Sequence, residues 1–378
     1  MRGSRQRRAG MLVTVAITVA GFCQTVPSQA SQPEFSAVTS LQCPSSSLCV
    51  GIAFGGANLV TSRVPRSGAA GWAAQTIDGA RRLRLLSCAS VRWCLAVDQQ
   101  GRVLISTDPA RGAASWRPAA GGPASHLDNV GSLSCPTARL CIGVAGHYVI
   151  SSVDPERGGA AWPQALVNPN APTDAVDCLT TTRCIAAAFD GQVLTSSDPT
   201  GRSAWKTTRL ARLLRPIGAG SDSVSCASLS ECVVAVGNGQ LFSTTNLDAP
   251  APRWNRARLR TNLLLRYEPL RLTVSCTAAD VCAAVGNDGS VWASPAPSRS
   301  GQRRWRRVAV DPEVGGFPDP LTTLACVSVQ LCVAADQDGH LLTSSAITRP
   351  GAWRQQTIGV GIAGAARQLL PLPAADVR

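Results

Sequence analysis

A chain of 378 residues is about twice the length of a typical single domain, so it contains either several domains or one large repeating architecture. Only 16% of the residues are charged and 4% are aromatic, whereas 34 glycines and 25 prolines favour short strands and turns over long helices. A hydrophobic content of 45% excludes a disordered chain, the scarcity of charged residues excludes a coiled coil, and the formal net charge of +13 favours acidic partners.

The first thirty residues have the pattern of a secretory signal peptide. A basic segment precedes an apolar stretch from Met11 to Phe22, and Ser28-Gln29-Ala30 offers small residues at both recognition positions of a cleavage site. The apolar stretch is too short to span a bilayer, and no later stretch reaches the roughly 20 residues that a membrane helix needs. We therefore expect cleavage after Ala30 and a secreted protein without an integral membrane span.

Seven pairs of cysteines with the same C-x5-C spacing define a repeat. The pairs are Cys43/Cys49, Cys88/Cys94, Cys135/Cys141, Cys178/Cys184, Cys226/Cys232, Cys276/Cys282 and Cys326/Cys332. Successive first cysteines lie 43 to 50 residues apart, a period typical of propellers and solenoids. A tryptophan follows each first cysteine by 27 to 29 residues, at Trp72, Trp116, Trp162, Trp205, Trp254, Trp305 and Trp353.

Each repeat is predicted to contain four short strands. In the fifth repeat they are 223–226, 232–236, 240–243 and 254–259, and Asn238-Gly239 is a hairpin signal between the second and the third. Four antiparallel strands repeated seven times predict an all-β fold, a seven-bladed β-propeller. A β-solenoid and two stacked sandwiches are the alternatives, but solenoid coils are shorter and sandwiches need no sevenfold register.

The predicted organisation is a signal peptide at 1–30, a single propeller at 31–362 and a C-terminal tail at 363–378. We expect a monomer whose ring closes when residues from Gln32 to Cys43 pack against the last blade. Each cysteine pair is predicted to form a structural disulfide, because the pair spans one hairpin and export supplies an oxidising compartment. Zinc binding and redox chemistry are the alternatives, but they need other ligand patterns. No metal and no cofactor are predicted.

The turn before the tryptophan resembles a known repeat motif. Ser106-Thr107-Asp108 leading through Gly112 to Trp116 is similar to the Asp-box of bacterial-neuraminidase repeats, Ser-x-Asp-x-Gly-x-Thr-Trp, with an expanded loop. The third and fourth repeats follow the pattern with Asp154 and Asp198. The resemblance implies structural roles for Asp108, Asp154 and Asp198: the carboxylate caps the turn between the third and fourth strands, and the tryptophan packs into the blade.

Strand order divides the loops between two faces of the disc. The turns between second and third strands and the connectors between blades share one face, which we call the connector face. Polar residues in these turns are expected to stabilise the turns themselves; they are Asp98, Asp190, Asn238, Asn287, Asp288, Asp336 and Asp338.

The third repeat departs from the others on this face. Its turn is two residues shorter and reads Gly146-His147-Tyr148, and the preceding connector holds His126 and Asp128. A binding site is therefore predicted at His126, Asp128, His147 and Tyr148, with solvent-exposed polar residues as the alternative interpretation.

The resemblance also implies an enzymatic alternative. Sialidases use a tyrosine nucleophile paired with a glutamate, an acid/base aspartate and three arginines that bind the substrate carboxylate. Tyr267, Glu268 and Asp128 are the catalytic candidates here, and Arg215, Arg266 and Tyr267 join the candidate binding residues. Adjacent strand residues point to opposite faces, so Tyr267 and Glu268 could cooperate only on an irregular connector.

The main hypothesis is an exported, non-enzymatic propeller that binds an acidic glycan, a cell-wall polymer or an extracellular protein through the connector face. Arginine-rich connectors and a net charge of +9 after signal removal favour acidic partners. Nucleic acid is not expected, because no pattern of stacking aromatics accompanies the arginines. The alternative is a sialidase-like glycoside hydrolase or a polysaccharide lyase that acts on an extracellular acidic glycan.

Overall fold

A computed structural model describes residues 35–55, 58–77, 82–124, 126–201, 204–210, 221–237, 239–249, 252–260, 270–300, 304–310, 313–314 and 317–358. They form seven four-stranded antiparallel sheets, each a meander in chain order. The all-β, seven-bladed propeller predicted from the repeats is therefore confirmed. The predicted boundaries at 30/31 and 362/363 lie outside the described residues.

The blades are numbered one to seven along the chain. Blades one and two contain β1 (Phe35–Ser45), β2 (Leu48–Gly55), β3 (Leu59–Ser62), β4 (Trp72–Gln75), β5 (Leu83–Ser90), β6 (Trp93–Asp98), β7 (Val103–Ser106) and β8 (Trp116–Pro118). Blades three and four contain β9 (Ser132–Thr137), β10 (Leu140–Ala145), β11 (Tyr148–Ser152), β12 (Gln164–Leu166), β13 (Thr173–Thr180), β14 (Arg183–Ala188), β15 (Gln192–Ser196) and β16 (Trp205–Arg209).

Blades five and six contain β17 (Ser221–Ser228), β18 (Glu231–Val236), β19 (Gln240–Thr244), β20 (Asn255–Arg258), β21 (Leu272–Cys276), β22 (Cys282–Gly286), β23 (Ser290–Ser294) and β24 (Arg306–Val310). Blade seven contains β27 (Leu321–Ser328), β28 (Leu331–Asp336), β29 (His340–Ser344) and β30 (Trp353–Thr357). A short helix, α1 (Pro297–Ser300), and a ribbon of β25 (Glu313–Val314) and β26 (Phe317–Pro318) lie between the sixth and seventh sheets in sequence.

The hydrophobic core lies between the blades. One cluster, for example, joins Val285 and Ala293 of blade six to Ala334, Leu342 and Trp353 of blade seven. The second strands β6, β18 and β28 are buried along their whole length. A strand covered on both faces needs apolar side chains at every position, which explains why apolar runs rather than alternating patterns follow the second cysteines.

All seven predicted disulfides are present, one in each blade. The cysteines of a pair stand opposite each other across the first hairpin, as in Cys178↔Cys184 of blade four. A serine or threonine two residues after the first cysteine caps most of these hairpins; Ser90 Oγ, for example, accepts the N–H of Arg92 at 3.1 Å. Seven disulfides are typical of a protein that folds in an oxidising environment.

The two cysteines of a disulfide differ in burial, a difference that the spacing alone did not predict. The second cysteines keep only 0 to 2% of their surface exposed; they are Cys49, Cys94, Cys141, Cys184, Cys232, Cys282 and Cys332. They lie near the start of the second strands, which the rest of the blade and its neighbours cover on both faces. Several first cysteines, on the innermost strands, are only half-buried; they are Cys43, Cys88, Cys276 and Cys326.

This burial decides between the interpretations of the cysteine pairs. Each second cysteine is enclosed inside its blade and bonded to its partner, so it contributes to the core and to no surface that a ligand reaches. The zinc-binding and redox alternatives need an accessible thiolate, which a buried disulfide sulfur does not provide. The predicted disulfides are therefore confirmed, and the burial of their second cysteines favours a structural role over zinc binding or redox chemistry.

Serine hydroxyls connect neighbouring blades at the centre of the ring. The first strand of each blade contacts the first strand of the next, so these strands surround the central axis. A serine before the first cysteine accepts the backbone N–H of the first cysteine in the next blade; the pairs are Ser87 with Cys135, Ser134 with Cys178, Ser225 with Cys276 and Ser275 with Cys326, at 2.9 to 3.0 Å. These bonds satisfy donors that an open sheet edge would leave unpaired.

Blade four has Asp177 at the position of this serine. Its Oδ2 accepts the N–H of Cys226 at 2.8 Å, and Ser134 Oγ donates to its Oδ1 at 3.5 Å. Burial raises the pKa of Asp177 above its usual range, and these hydrogen bonds only partly oppose the shift. A raised folded-state pKa means that the protonated form favours folding, so this contribution to stability is present at low pH and is lost as pH rises through the folded-state pKa.

The Asp177→Ser variant is therefore expected to gain stability relative to the wild type as pH rises from about 4 to about 8. Serine retains an acceptor for Cys226 and removes the carboxylate that must ionise in a partly buried place between two blades. Guanidinium unfolding of both oxidised proteins across this pH range measures the difference in free energy of unfolding. A difference that stays constant with pH would contradict the assignment.

Ring closure follows the prediction for the described part of Gln32 to Cys43. Val38 and Leu41 of β1 pack with Ala325 and Val333 of blade seven, and Thr322 Oγ1 donates to the carbonyl of Val38 at 2.7 Å. Every blade is continuous in sequence, so the ring closes by side-chain packing and hydrogen bonds between the first and last blades rather than by strand exchange.

The turns before the tryptophans are shaped mainly by serine. Ser106 Oγ accepts the N–H of Asp108 at 3.3 Å, and Ser152 Oγ accepts that of Asp154 at 3.2 Å. The carboxylates of Asp108 and Asp154 make no capping hydrogen bond to the 3-10 turns that follow, which differs from the capping role implied by the resemblance. Asp198 accepts a hydrogen bond from a threonine hydroxyl at 2.8 Å. The tryptophans pack as expected, and six of the seven are buried.

Candidate functional site

In blade three, the loop between the second strand, β10, and the third strand, β11, contains only two residues, the shortest common length for a β-hairpin. Ala145 pairs with Tyr148, so only Gly146 and His147 form the loop. Gly146 adopts a left-handed φ of 55°, a conformation that glycine tolerates best. Its carbonyl accepts the N–H of Thr173 at 2.6 Å and so joins the turn to blade four. The missing residues leave space beside the turn.

A cavity of about 310 Å³ occupies this space. It is lined by residues from the preceding connector, the shortened turn and the outer strands of blade three; they are His126, Asn129, Ala145, Gly146, His147, Tyr148 and Gln164. We call it the blade-three pocket. The structure thus brings together three of the predicted binding residues, His126, His147 and Tyr148. Sequence reasoning missed Asn129 and Gln164.

The imidazole of His147 is held by the backbone beside the pocket. His147 Nδ1 lies 2.7 Å from the carbonyl oxygen of Asn168. Because a carbonyl only accepts, Nδ1 carries a proton, and in the neutral imidazole Nε2 is then the acceptor. Tyr148 is 39% exposed, and Gln164 stands diagonally across from it on the neighbouring strand. His126 begins the 3-10 turn Leu127–Asn129 that shapes the opposite wall.

The other predicted site residues do not join this pocket. Asp128 lies between two lining residues in sequence, but its Oδ1 accepts a hydrogen bond from Asn129 Nδ2 at 2.9 Å and its carbonyl binds the guanidinium of Arg84. Arg215, Arg266, Tyr267 and Glu268 lie outside the described residues. The predicted sialidase-like set therefore has only Asp128 among the described residues.

Two arginines at the start of blade two, Arg82 before β5 and Arg84 within it, make structural contacts. Arg84 reaches across to the carbonyl of Asp128, and the guanidinium of Arg82 lies 3.4 Å from the ring centroid of Phe54. Both contacts join one blade or connector to the next, so these two side chains hold loops together as well as adding positive charge.

Aspartates in several second-to-third turns cap those turns, as predicted. Asp98 Oδ1 accepts the N–H groups of Gln100 and Arg102, and its Oδ2 lies 2.6 Å from Arg102 Nε. Asp190 and Asp288 accept backbone N–H groups in the same way. Asn238 lies outside the described residues.

Blade seven carries a second polar cluster that sequence reasoning missed. Asp336 Oδ1 accepts the N–H groups of Asp338 and His340, and its Oδ2 lies 2.6 Å from His340 Nδ1. Asp319, from the connector before β27, completes a group whose possible metal-ligand atoms lie within 4.8 Å of one another. We call Asp319, Asp336 and His340 the blade-seven cluster. The hydrogen bond to Asp336 is the main reason that the pKa of His340 is raised. Burial, followed by the charges of Asp338 and Asp336, raises the pKa of Asp319 to about 6.

The similarity of this chain to known proteins lies in its fold. No protein-family model and no curated protein matches the chain. Among solved structures it is similar to YCF48 from Cyanidioschyzon merolae, with a TM-score of 0.57 and 15% identity over 82% of this chain and 95% of that one. It is also similar to Raptor from Chaetomium thermophilum, with a TM-score of 0.61 and 11% identity over 84% of this chain and 29% of Raptor.

A third similar structure is PorZ, a bacterial surface component of the type-IX secretion system of Porphyromonas gingivalis, with a TM-score of 0.56 and 10% identity over 89% of this chain and 40% of PorZ. Across the described residues, no helix has the length and hydropathy of a membrane span. At identities of 15% and below, the structural likenesses show that the chain shares the β-propeller fold with these proteins.

Proposed function

We propose that the chain is an exported, non-enzymatic propeller that binds an extracellular glycan in the blade-three pocket. The observation that carries the proposal is the composition of the pocket wall: one exposed aromatic ring, two imidazoles and two amides around about 310 Å³. A sugar presents hydroxyl groups at its edge and C–H groups on its faces. Amides and imidazoles exchange hydrogen bonds with the hydroxyls, and an exposed tyrosine ring packs against a C–H face.

The pocket chemistry favours binding over hydrolysis. Glycosidases generally place two carboxyl groups about 5 to 9.5 Å apart on either side of the scissile bond. No carboxylate is among the described residues that line the pocket, and the carboxylate of nearby Asp128 accepts a hydrogen bond from Asn129. The described lining residues can orient a bound ligand through hydrogen bonds and ring contacts, but they do not include the pair of carboxyl groups that glycoside hydrolysis generally needs.

Two features support export and an anionic ligand class. The seven disulfides fit an oxidising compartment, in agreement with the signal-peptide pattern of the first thirty residues. The excess of arginine over acidic residues attracts acidic glycans and cell-wall polymers to the surface. Extracellular proteins remain the other partner class for the connector face.

Tyr148→Ala is expected to weaken glycan binding by at least about tenfold, because the variant loses the stacking surface. The measurement is equilibrium binding of oxidised 31–378 to a panel of neutral and acidic oligosaccharides and cell-wall polymers. Mass spectrometry of each mixture records whether any product is released.

Phe189→Ala is the matched control, because Phe189 is 43% exposed in the corresponding turn of blade four but does not line the pocket. Its affinity should equal that of the wild type. Equal affinity of Tyr148→Ala and the wild type would contradict the site, and product release by the wild type would contradict the non-enzymatic function.

A further inference from the structure

Blade seven has an acidic residue at a position that is apolar and buried in blades three, four and six. Two residues before the first strand, blade three has Val130, blade four has Ala171 and blade six has Leu270, with exposures of 0%, 4% and 3%. Blade seven has Asp319 at this position, with an exposure of 8%. Blade seven thus has a carboxylate where three other blades have a buried apolar side chain. Burying a carboxylate is unfavourable unless a hydrogen-bond donor or a positive charge compensates the lost hydration.

One oxygen of Asp319 has no such partner within the described part of the chain. Its Oδ2 is buried and makes no hydrogen bond there. Buried polar atoms are nearly always hydrogen-bonded, so an orphaned carboxylate oxygen on a residue of the blade-seven cluster calls for a ligand. The carboxylates of Asp336 and Asp338 repel an ionised Asp319, and the charge of His340 opposes them only in part. Asp338 also shares a side-chain hydrogen bond with the Asp319 carboxyl group, which leaves Oδ2 as its unpartnered oxygen.

The turn between β28 and β29 of blade seven also differs from the corresponding turn of blade two, in the residue that pairs with the aspartate. In blade two, Arg102 follows Asp98 by four residues and neutralises it through a contact of 2.6 Å. In blade seven, His340 takes the place of this arginine, with a contact of 2.6 Å to the fully buried Asp336. The guanidinium of Arg102 is permanently charged and does not bind metal ions, whereas the imidazole of His340 is one of the commonest metal ligands in proteins.

We propose that Asp319, Asp336 and His340 form a binding site for one divalent transition-metal cation of the Zn²⁺ or Mn²⁺ class. Two carboxylate oxygens and one imidazole nitrogen form a mixed donor set that suits these ions, whereas Ca²⁺ and Mg²⁺ prefer oxygen ligands alone. The two carboxylates supply the charge that a divalent cation requires, and the ion takes the place of the proton between Asp336 and His340.

The dimensions of the cluster agree with this assignment. Ligand atoms that bind one tetrahedral zinc ion at about 2.0–2.2 Å lie about 3.3–3.6 Å from one another. The atoms of the cluster now lie within 4.8 Å, so the widest pair has to approach by at most about 1.5 Å, and the contact of 2.6 Å between Asp336 and His340 has to open by about 0.7–1.0 Å. Side-chain rotation covers movements of this size. His340 keeps 20% of its side chain exposed, which gives the ion access from solvent. The bound ion would join the connector before β27 to the turn between β28 and β29, in the blade that closes the ring.

The experiment is equilibrium dialysis of tag-free, chelator-treated, oxidised 31–378 against Zn²⁺ and, separately, Mn²⁺, with bound metal counted by elemental mass spectrometry. We expect one bound equivalent of at least one of the two ions and a higher melting temperature in its presence. Asp319→Asn and His340→Gln, which change charge and donor type but hardly any volume, should each lower the affinity by at least about tenfold.

Two controls separate this site from others. Asp98→Asn alters the counterpart turn in blade two and should leave metal binding unchanged. The double variant His126→Ala/His147→Ala removes the histidines of the blade-three pocket and should also retain the bound ion. Absence of bound metal, loss of binding in this double variant, or unchanged binding in both Asp319→Asn and His340→Gln would overturn the proposal. Circular dichroism of each variant verifies that the fold is intact.

Discussion

Reduction of the seven disulfides is expected to unfold the propeller under conditions in which the oxidised protein is stable. Each bridge closes a short loop between cysteines six positions apart, and the seven loops do not overlap in sequence. The chain-entropy relation gives about 2 kcal/mol for such a loop, and contributions from separate loops add in the unfolded state. Their combined effect of about 14 kcal/mol reaches the upper end of the usual 5–15 kcal/mol stability of a folded domain.

The measurement is guanidinium unfolding followed by circular dichroism, with and without a thiol reductant, and with free thiols counted at each step. The matched control is the double variant Cys178→Ala/Cys184→Ala, which removes one bridge and should remain folded with a loss of about 2 kcal/mol. Equal unfolding midpoints for the fully reduced and the oxidised protein would contradict a stabilising role for the disulfides.

The repeat made most of the fold predictable, because the spacing of cysteines and tryptophans reports hairpins that form locally. In blade five, the predicted strand 223–226 is observed as Ser221–Ser228. It is longer because β-bulges on either side of the paired segment let the chain continue pairing past the ends of the predicted strand. The ribbon of β25 and β26, the deeper burial of the second cysteines and the serine bonds between blades were not predicted, since they depend on contacts beyond the single hairpin.

The candidate sites were predictable to the extent that they interrupt the repeat. The shortened turn led to His147 and Tyr148, and the preceding connector led to His126. Gln164 gave no signal, because an exposed polar residue on an outer strand is the ordinary pattern of a half-buried sheet. Asp319 did carry a signal, since the corresponding position in blades three, four and six is apolar, but a position-by-position comparison of the repeats is needed to find it.

Trp353→Ala is expected to lower the free energy of unfolding by about 3–5 kcal/mol, the range for removal of a large buried aromatic side chain. Trp353 is fully buried between blades six and seven, and its Nε1 donates to the carbonyl of Ile347 at 3.3 Å. The variant leaves a cavity at this interface and removes the donor that the carbonyl of Ile347 uses. Guanidinium unfolding of the oxidised protein measures the loss.

Trp254→Ala is the matched control, because Trp254 has the same place in its repeat but is only partly buried, at the edge of the cluster between blades four and five. A partly exposed side chain gives up less buried area and leaves a more open space, so a smaller loss of roughly 1–2 kcal/mol is expected. Equal losses in the two variants would mean that the tryptophans stabilise the blades through the turn they share rather than through burial between blades. A larger loss at Trp353 would show that the periodic tryptophans stabilise the protein through the area that they bury between blades.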